Sequence, residues 1–164
     1  MSPTLVQYDA PGWGVGEIWL ERGVVVHSEL PRPRRVSPRA ARGAGGSAAA
    51  RTLGANLVSR LQGFFAGDAE ELRGVRLTAF DGFDGACIQA LRRVRRGQVV
   101  TYGELAALAG HAGAARAAGT FCGRCALSPF VPTHRVVGSA GIGSYGSLGV
   151  DYKRRLLALE GVSF

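Results

Sequence analysis

Thr101-Tyr102-Gly103-Glu104 is the tightest local constraint in this chain. A threonine hydroxyl accepts from the backbone N–H three residues on, and a glutamate there reaches back to the threonine N–H. Such a box starts a helix at one position only. The helix it opens is expected to run from Tyr102 to Ala109 and to stop at Gly110. A second helix is expected from Ala112 to about Arg124, and two short helices joined through Gly110-His111 fit a helix-turn-helix. Gly113-Ala114-Ala115-Arg116-Ala117-Ala118-Gly119 makes that second helix smooth around one long cation. A smooth helix can approach a groove or another helix closely, and its arginine then projects into what it touches.

Upstream, Leu5-Val6-Gln7-Tyr8, Gly16-Glu17-Ile18-Trp19-Leu20 and Val24-Val25-Val26-His27 alternate and are separated by turn residues, which reads as an antiparallel meander. Residues 31–51 are rich in Pro, Arg, Gly and Ala and read as a basic loop carrying Arg32, Arg34, Arg35, Arg39, Arg42 and Arg51. Leu53, Leu57, Val58, Leu61, Phe64 and Phe65 share one helical face over 53–65. Residues 74–80 read as a short strand. A helix over about 83–95 puts Phe83, Ala86, Cys87, Ala90, Leu91 and Val94 on its apolar stripe, so Cys87 reads as a core residue. Downstream, Phe130-Val131-Pro132-Thr133-His134-Arg135-Val136-Val137 precedes a glycine-rich loop over 138–149. A last helix, about Val150 to Glu160, ends at Gly161.

The chain has 164 residues, enough for one domain or two small ones. No apolar run approaches the ~20 residues that span a bilayer. Met1 to Ala10 lacks a basic stretch leading into an apolar core, so no secretory signal is expected and a cytoplasmic, nucleoid-associated location is. The net charge of +8 favours a polyanionic partner. Of the 20 basic residues one is Lys153 and the other 19 are arginines, whose planar fork suits phosphates and base edges. A GC-rich genome would give the same bias. Three cysteines argue against a disulfide framework.

Other motifs carry less. Gly141-Ile142-Gly143-Ser144-Tyr145-Gly146 matches GxGxxG, but the chain ends before the βαβ unit that a dinucleotide site needs. Cys122-Gly123-Arg124-Cys125 has no second ligand pair for zinc and no thioredoxin-like setting. No metal site and no cofactor is expected. His134 could be reached by Glu160 from the last helix, and a Glu–His pair prepares a general base.

Taken together, Val99-Val100-Thr101-Tyr102-Gly103-Glu104-Leu105-Ala106, Ala114-Ala115-Arg116-Ala117-Ala118-Gly119, Val131-Pro132-Thr133-His134-Arg135-Val136-Val137, Gly143-Ser144-Tyr145-Gly146 and Leu156-Leu157-Ala158-Leu159-Glu160-Gly161 resemble the O6-alkylguanine-DNA alkyltransferase family. The resemblance is close over 83–162 and loose over the first 80 residues. It implies an α/β N-terminal subdomain over 1–80, a small antiparallel sheet plus helix. A mostly α, winged-helix-like domain with the helix-turn-helix would follow over 81–164. It also implies minor-groove binding, with Arg116 filling the gap left by a flipped base and Tyr102 turning the phosphate. Ala114, Ala115 and Gly119 would line the groove contact and Ser139 would approach a phosphate. Tyr102, Pro132, Thr133, Arg135, Val136, Tyr145 and Gly146 would form the lesion pocket.

One departure bears on activity. Active members of the family read Pro-Cys-His-Arg, and the cysteine, activated through His134, a water and Glu160, accepts the alkyl group. This chain reads Pro132-Thr133-His134-Arg135. Cys125 also stands where the family usually has an asparagine. The resemblance therefore implies an alkyltransferase-like protein, with Thr133, His134 and Glu160 a vestigial relay. It would bind duplex DNA carrying O6-alkylguanine as a monomer and flip the base without transfer. The lesion would thereby be flagged for nucleotide excision repair proteins. Such relatives often carry tryptophan at this position. The alternatives are a methyltransferase whose acceptor has been replaced or moved to another cysteine, and a helix-turn-helix regulator.

Overall fold

The computed structural model describes residues 2–33 and 46–164. The chain divides into two compact units, Met1–Thr78 and Ala79–Phe164.

In the first unit, β1 (Thr4–Ala10), β2 (Gly14–Glu21) and β3 (Val24–Arg32) form an antiparallel meander in the order β1-β2-β3. Alternation sets the register: Val6 faces Ile18 and Tyr8 faces Gly16 across the first pair. Gly16 has to be glycine, because a Cβ there would stand 2.2 Å from the Tyr8 ring. Helix α1 (Ala48–Phe65) packs on β1, and its Leu57, Leu61, Phe64 and Phe65 close the core with Tyr8, Ile18, Leu20 and Val25. The Trp13 indole N–H donates to the Phe65 carbonyl at 3.1 Å.

Two expectations need correction here. The basic loop does not run to residue 51, and the helix starts at Ala48 rather than at 53. Ser47 accepts from the Ala50 N–H as its N-cap, and the alanines behind it are strong helix formers. Of the arginines expected there, Arg32 ends β3 and Arg51 lies in α1, while Arg34, Arg35, Arg39 and Arg42 lie outside the described residues. Residues 74–80 form no strand. Leu77 makes one parallel bridge to Val25, held by Val25 N–H to Arg76 O and Thr78 N–H to Val25 O, both 2.9 Å.

The second unit is mostly helical. Helix α2 (Gly82–Leu91) buries Cys87, Ile88, Ala90 and Leu91. It ends before the expected 95, as the chain tightens through Arg93 N–H to Ala90 O and Val94 N–H to Leu91 O. Strand β4 (Val100–Thr101) leads into α3 (Tyr102–Leu108), which the Thr101–Glu104 capping box opens. A Schellman closure ends α3: Gly110 is at φ +84°, Gly110 N–H donates to Ala107 O and His111 N–H to Ala106 O. The same closure ends α1 at Gly67 and the last helix at Gly161. Helix α4 (Ala115–Arg124) starts three residues later than expected, because Gly113 at φ +88° keeps the chain turning. A 3-10 turn over Thr133–Arg135 follows, then β5 (Val136–Val137), and α5 (Val150–Leu159) closes the unit. Strands β4 and β5 pair in parallel, Val100 with Val136 and Thr101 with Val137. That short ladder brings the start of α3 beside the Thr133–Arg135 turn. No helix among the described residues is long and apolar enough to cross a membrane.

Thr101→Ala removes the hydroxyl half of the box. It should lower unfolding free energy in urea by about 1 kcal/mol with no change in m-value.

Candidate functional site

Thr133, His134 and Arg135 sit on one tight turn, set by Thr133 N–H to Val131 O (2.8 Å) and Arg135 N–H to Pro132 O (3.0 Å). All three are buried, His134 completely. The turn sends consecutive side chains to different neighbours. His134 Nε2 lies 2.8 Å from Glu160 Oε1. Arg135 donates to the same carboxylate from Nε (2.9 Å to Oε2) and from one terminal nitrogen (2.7 Å to Oε1). Its other terminal nitrogen donates to the Val94 carbonyl at 2.7 Å, just beyond the end of α2. Sequence reasoning paired Glu160 with His134 and placed Arg135 in the lesion pocket. The guanidinium is instead built into the Glu160 cluster and braces the turn. An arginine next to the expected base, with one carboxylate opposite, was the signal that could have shown it.

Burial alone would raise the Glu160 pKa. The hydrogen bonds from His134 and Arg135, with the Arg135 charge, outweigh it and hold the carboxyl at about 2. Burial lowers the His134 pKa despite the opposing pull of Glu160, so the imidazole is neutral and Arg135 supplies the positive charge. A carboxylate only accepts, so His134 Nε2 carries the proton donated to Glu160, and the lone pair is on Nδ1.

Thr133 points the other way, into a chain of hydroxyls. Its Oγ1 is 2.7 Å from Ser128 Oγ and 3.3 Å from the Tyr145 hydroxyl, and Ser128 donates to the Val131 carbonyl at 3.3 Å. Thr133 is therefore held between Ser128 and Tyr145 in a shared hydroxyl network. Burial pushes the Tyr145 hydroxyl up to about 12, so it stays a donor. Ser128 escaped the sequence reading, because a lone serine in an apolar run carries no signal of what it will face.

Tyr102, at the start of α3, bonds through its hydroxyl to Ser144, and burial raises its pKa. Gly143 has to be glycine here: it is at φ +79°, and a Cβ would stand 2.9 Å from the Tyr102 hydroxyl. Lys153, on α5, lies with Nζ 5.7 Å from the Tyr102 ring centroid and 5.8 Å from that of Tyr145, and donates to Ser144 O at 3.2 Å. Tyr102, Tyr145 and Thr133 are thus brought together around the 143–146 loop. Gly146, at φ +52°, starts the next turn, while Pro132 and Val136 are buried on either side of Thr133–Arg135. The thiols are held protonated. Burial pushes Cys87 up to about 11 and Cys122 up to about 12, and raises Cys125 as well.

On the outer surface Ala115, Arg116 and Ser139 are exposed, and Ala114 and Gly119 are half-buried. Helices α3 and α4 pack closely where small residues meet: a Cβ on Gly103 would lie 3.9 Å from Ala115 Cβ, and one on Gly119 3.8 Å from the Tyr102 ring. Arg124 is tied to Asp84 at 2.5 Å.

Residues 82–162 match the family described as 6-O-methylguanine DNA methyltransferase, DNA binding domain. A methylated-DNA–protein-cysteine methyltransferase of Mycolicibacterium paratuberculosis is 38% identical over 113 residues, covering 65% of this chain and 64% of its own length. One from Salmonella typhimurium is 41% identical over 107 residues, 64% of this chain and 62% of its own. The chain thus spans somewhat under two thirds of the length of these relatives. Among solved structures, Mycobacterium tuberculosis O6-methylguanine methyltransferase superposes with TM-score 0.75 at 26% identity, over 96% of this chain and 92% of the other. A Mycobacterium tuberculosis OGT in complex with DNA does so with TM-score 0.74 at 27% identity, over 95% and 91%.

The Glu160 carboxyl is held at about 2 against an ordinary 4.5, so its contribution to stability is full above pH 4.5 and is lost as pH falls toward 2. Glu160→Gln leaves Arg135 buried without its counter-charge. It should cost about 3–5 kcal/mol at pH 7 and flatten the acid limb of stability between pH 4.5 and 2, read by urea unfolding at each pH.

Proposed function

Because residues 82–162 match the 6-O-methylguanine DNA methyltransferase family, we propose that this protein binds duplex DNA containing O6-alkylguanine and takes the lesion into the pocket walled by Tyr102, Pro132, Thr133, Val136, Tyr145 and Gly146. It holds the base there without removing the alkyl group. The observation that carries the reading is Thr133, between Pro132 and His134, with its hydroxyl engaged by Ser128 and Tyr145. Alkyl transfer needs a nucleophile that ionises readily. A cysteine beside a base does so, with a reference pKa of about 8.5. A threonine hydroxyl, an alcohol tied in hydrogen bonds to Ser128 and Tyr145, does not.

The roles on the DNA side are those that the family resemblance implies. Arg116, exposed on the first turn of α4, enters the duplex in place of the extruded base, and Ala114, Ala115 and Gly119 let the helix come close. Tyr102 turns the phosphate and Ser139 approaches one. The unit acts in the manner of a winged helix. Extrusion costs a few kcal/mol, least for a weakly paired, damaged base. The net charge of +8 makes the binding salt-dependent. The exposed lesion complex then serves as a flag for nucleotide excision repair. The Glu160–His134 pair persists in this reading because Arg135 makes it part of the packing.

The competing reading is transfer to another cysteine. The raised pKa values of Cys87, Cys122 and Cys125 oppose it, since the thiolate is the nucleophile.

A duplex carrying O6-[methyl-3H]guanine separates the readings. Lesion binding with no label on the protein is expected, and label appearing on wild type would overturn the proposal. Arg116→Ala should weaken lesion binding at least tenfold (about 1.4 kcal/mol); unchanged affinity would remove Arg116 from its role. Thr133→Cys should create transfer, seen as stoichiometric labelling at position 133.

A further inference from the structure

The chain's only lysine is one of the most enclosed side chains in the molecule. Lys153 is 1% exposed. Its ammonium has three N–H groups and one hydrogen-bond acceptor, the Ser144 carbonyl at 3.2 Å. Its other neighbours are the faces of Tyr102 and Tyr145. No carboxylate among the described residues lies within ion-pair distance of it, whereas the other buried cation, Arg135, has Glu160. A buried charge is ordinarily paired. Here α3 contributes Tyr102, α4 contributes Cys122 and the 143–146 loop contributes Tyr145, and burial keeps all three protonated. His134, on the adjoining turn, is neutral. The group around Lys153 is therefore short of one negative charge.

Tyr145 links this deficit to the lesion pocket, because its ring faces Lys153 and its hydroxyl lies 3.3 Å from Thr133 Oγ1. Tyr145 thus stands between the Thr133 hydroxyl and the Lys153 ammonium. We propose that Lys153 sets lesion specificity, so that the pocket prefers O6-alkylguanines whose substituent ends in a carboxylate over neutral substituents of the same shape. This rests on the lesion-binding reading above and adds the class of lesion. The bound carboxylate takes the two N–H groups left by Ser144 and supplies the missing counter-charge. No bond is made or broken.

The test compares anisotropy titrations of four otherwise identical duplexes, carrying guanine, O6-methylguanine, O6-carboxymethylguanine and its neutral amide, O6-carbamoylmethylguanine. Wild type should bind the carboxylate roughly tenfold more tightly than the amide, the scale of a charge-assisted hydrogen bond. Lys153→Met should abolish that ratio and Lys153→Arg should keep part of it. Burial brings the Lys153 pKa down to about 8, so the wild-type ratio should shrink as pH rises from 7 to 9, while Lys153→Arg holds its ratio. The pH and arginine arms keep the test decisive if Lys153→Met fails to fold, which its thermal melt reports. Equal binding of carboxylate and amide by wild type, or a ratio surviving in folded Lys153→Met, overturns the proposal. Equal binding of guanine and O6-methylguanine overturns the uncharged-lesion reading instead, and leaves the carboxylate-to-amide ratio to judge Lys153 independently.

Discussion

The second unit depends on one buried carboxylate. Glu160 balances the positive charge of Arg135 and accepts a hydrogen bond from the His134 imidazole at the point where α5 ends. Because Arg135 also holds the Val94 carbonyl, the cluster ties the exit of α2, the Thr133–Arg135 turn and the last helix to each other. Arg96 adds a second tie, donating to the Leu159 carbonyl in the final turn of α5. The low pKa of Glu160 follows from this anchoring. The pair that looks like catalytic equipment in the sequence is also part of the framework.

The framework leaves Thr133 little freedom. The next two residues, His134 and Arg135, face the Glu160 cluster, and the turn carries Thr133 toward Ser128 and Tyr145. The two sides of the turn differ in kind. One is a closed ion pair with its charge balanced internally. The other is a set of hydroxyls and a protonated thiol around a lysine that has no carboxylate within ion-pair distance among the described residues. Balanced charge favours packing, and an unbalanced buried charge favours a ligand.

Much of this was legible along the chain. The meander follows from period-two alternation, and the Thr101–Glu104 box and the glycines closing α1, α3 and α5 are local signals that local geometry obeys. Cys87 lies in the core where its place in the stripe put it. The misreadings have physical causes. Ala48–Ala50 have the composition of a linker and the propensity of a helix, and the Ser47 cap decides for the helix. Residues 74–80 have the pattern of a strand but find only one bridge, at Leu77. Arg92 to Arg96 looked like the polar side of a longer helix, which tightened and ended at Leu91.

By itself the sequence determined which residue types stand at the critical positions: a threonine before His134, a single lysine, and Arg116 alone among the small residues of 113–119. Those are facts of covalent order, and local hydrogen bonding along the chain fixes most of the helices that carry them. Only the tertiary structure decided what the residues do for one another. Glu160 lies 25 residues from Arg135, Tyr145 lies 12 from Thr133, and Lys153 reaches Tyr102 across α3, α4 and the glycine loop. Charge and burial act through space, so the neutral His134, the acidic Glu160 and the uncompensated Lys153 came into being only when the chain closed around them.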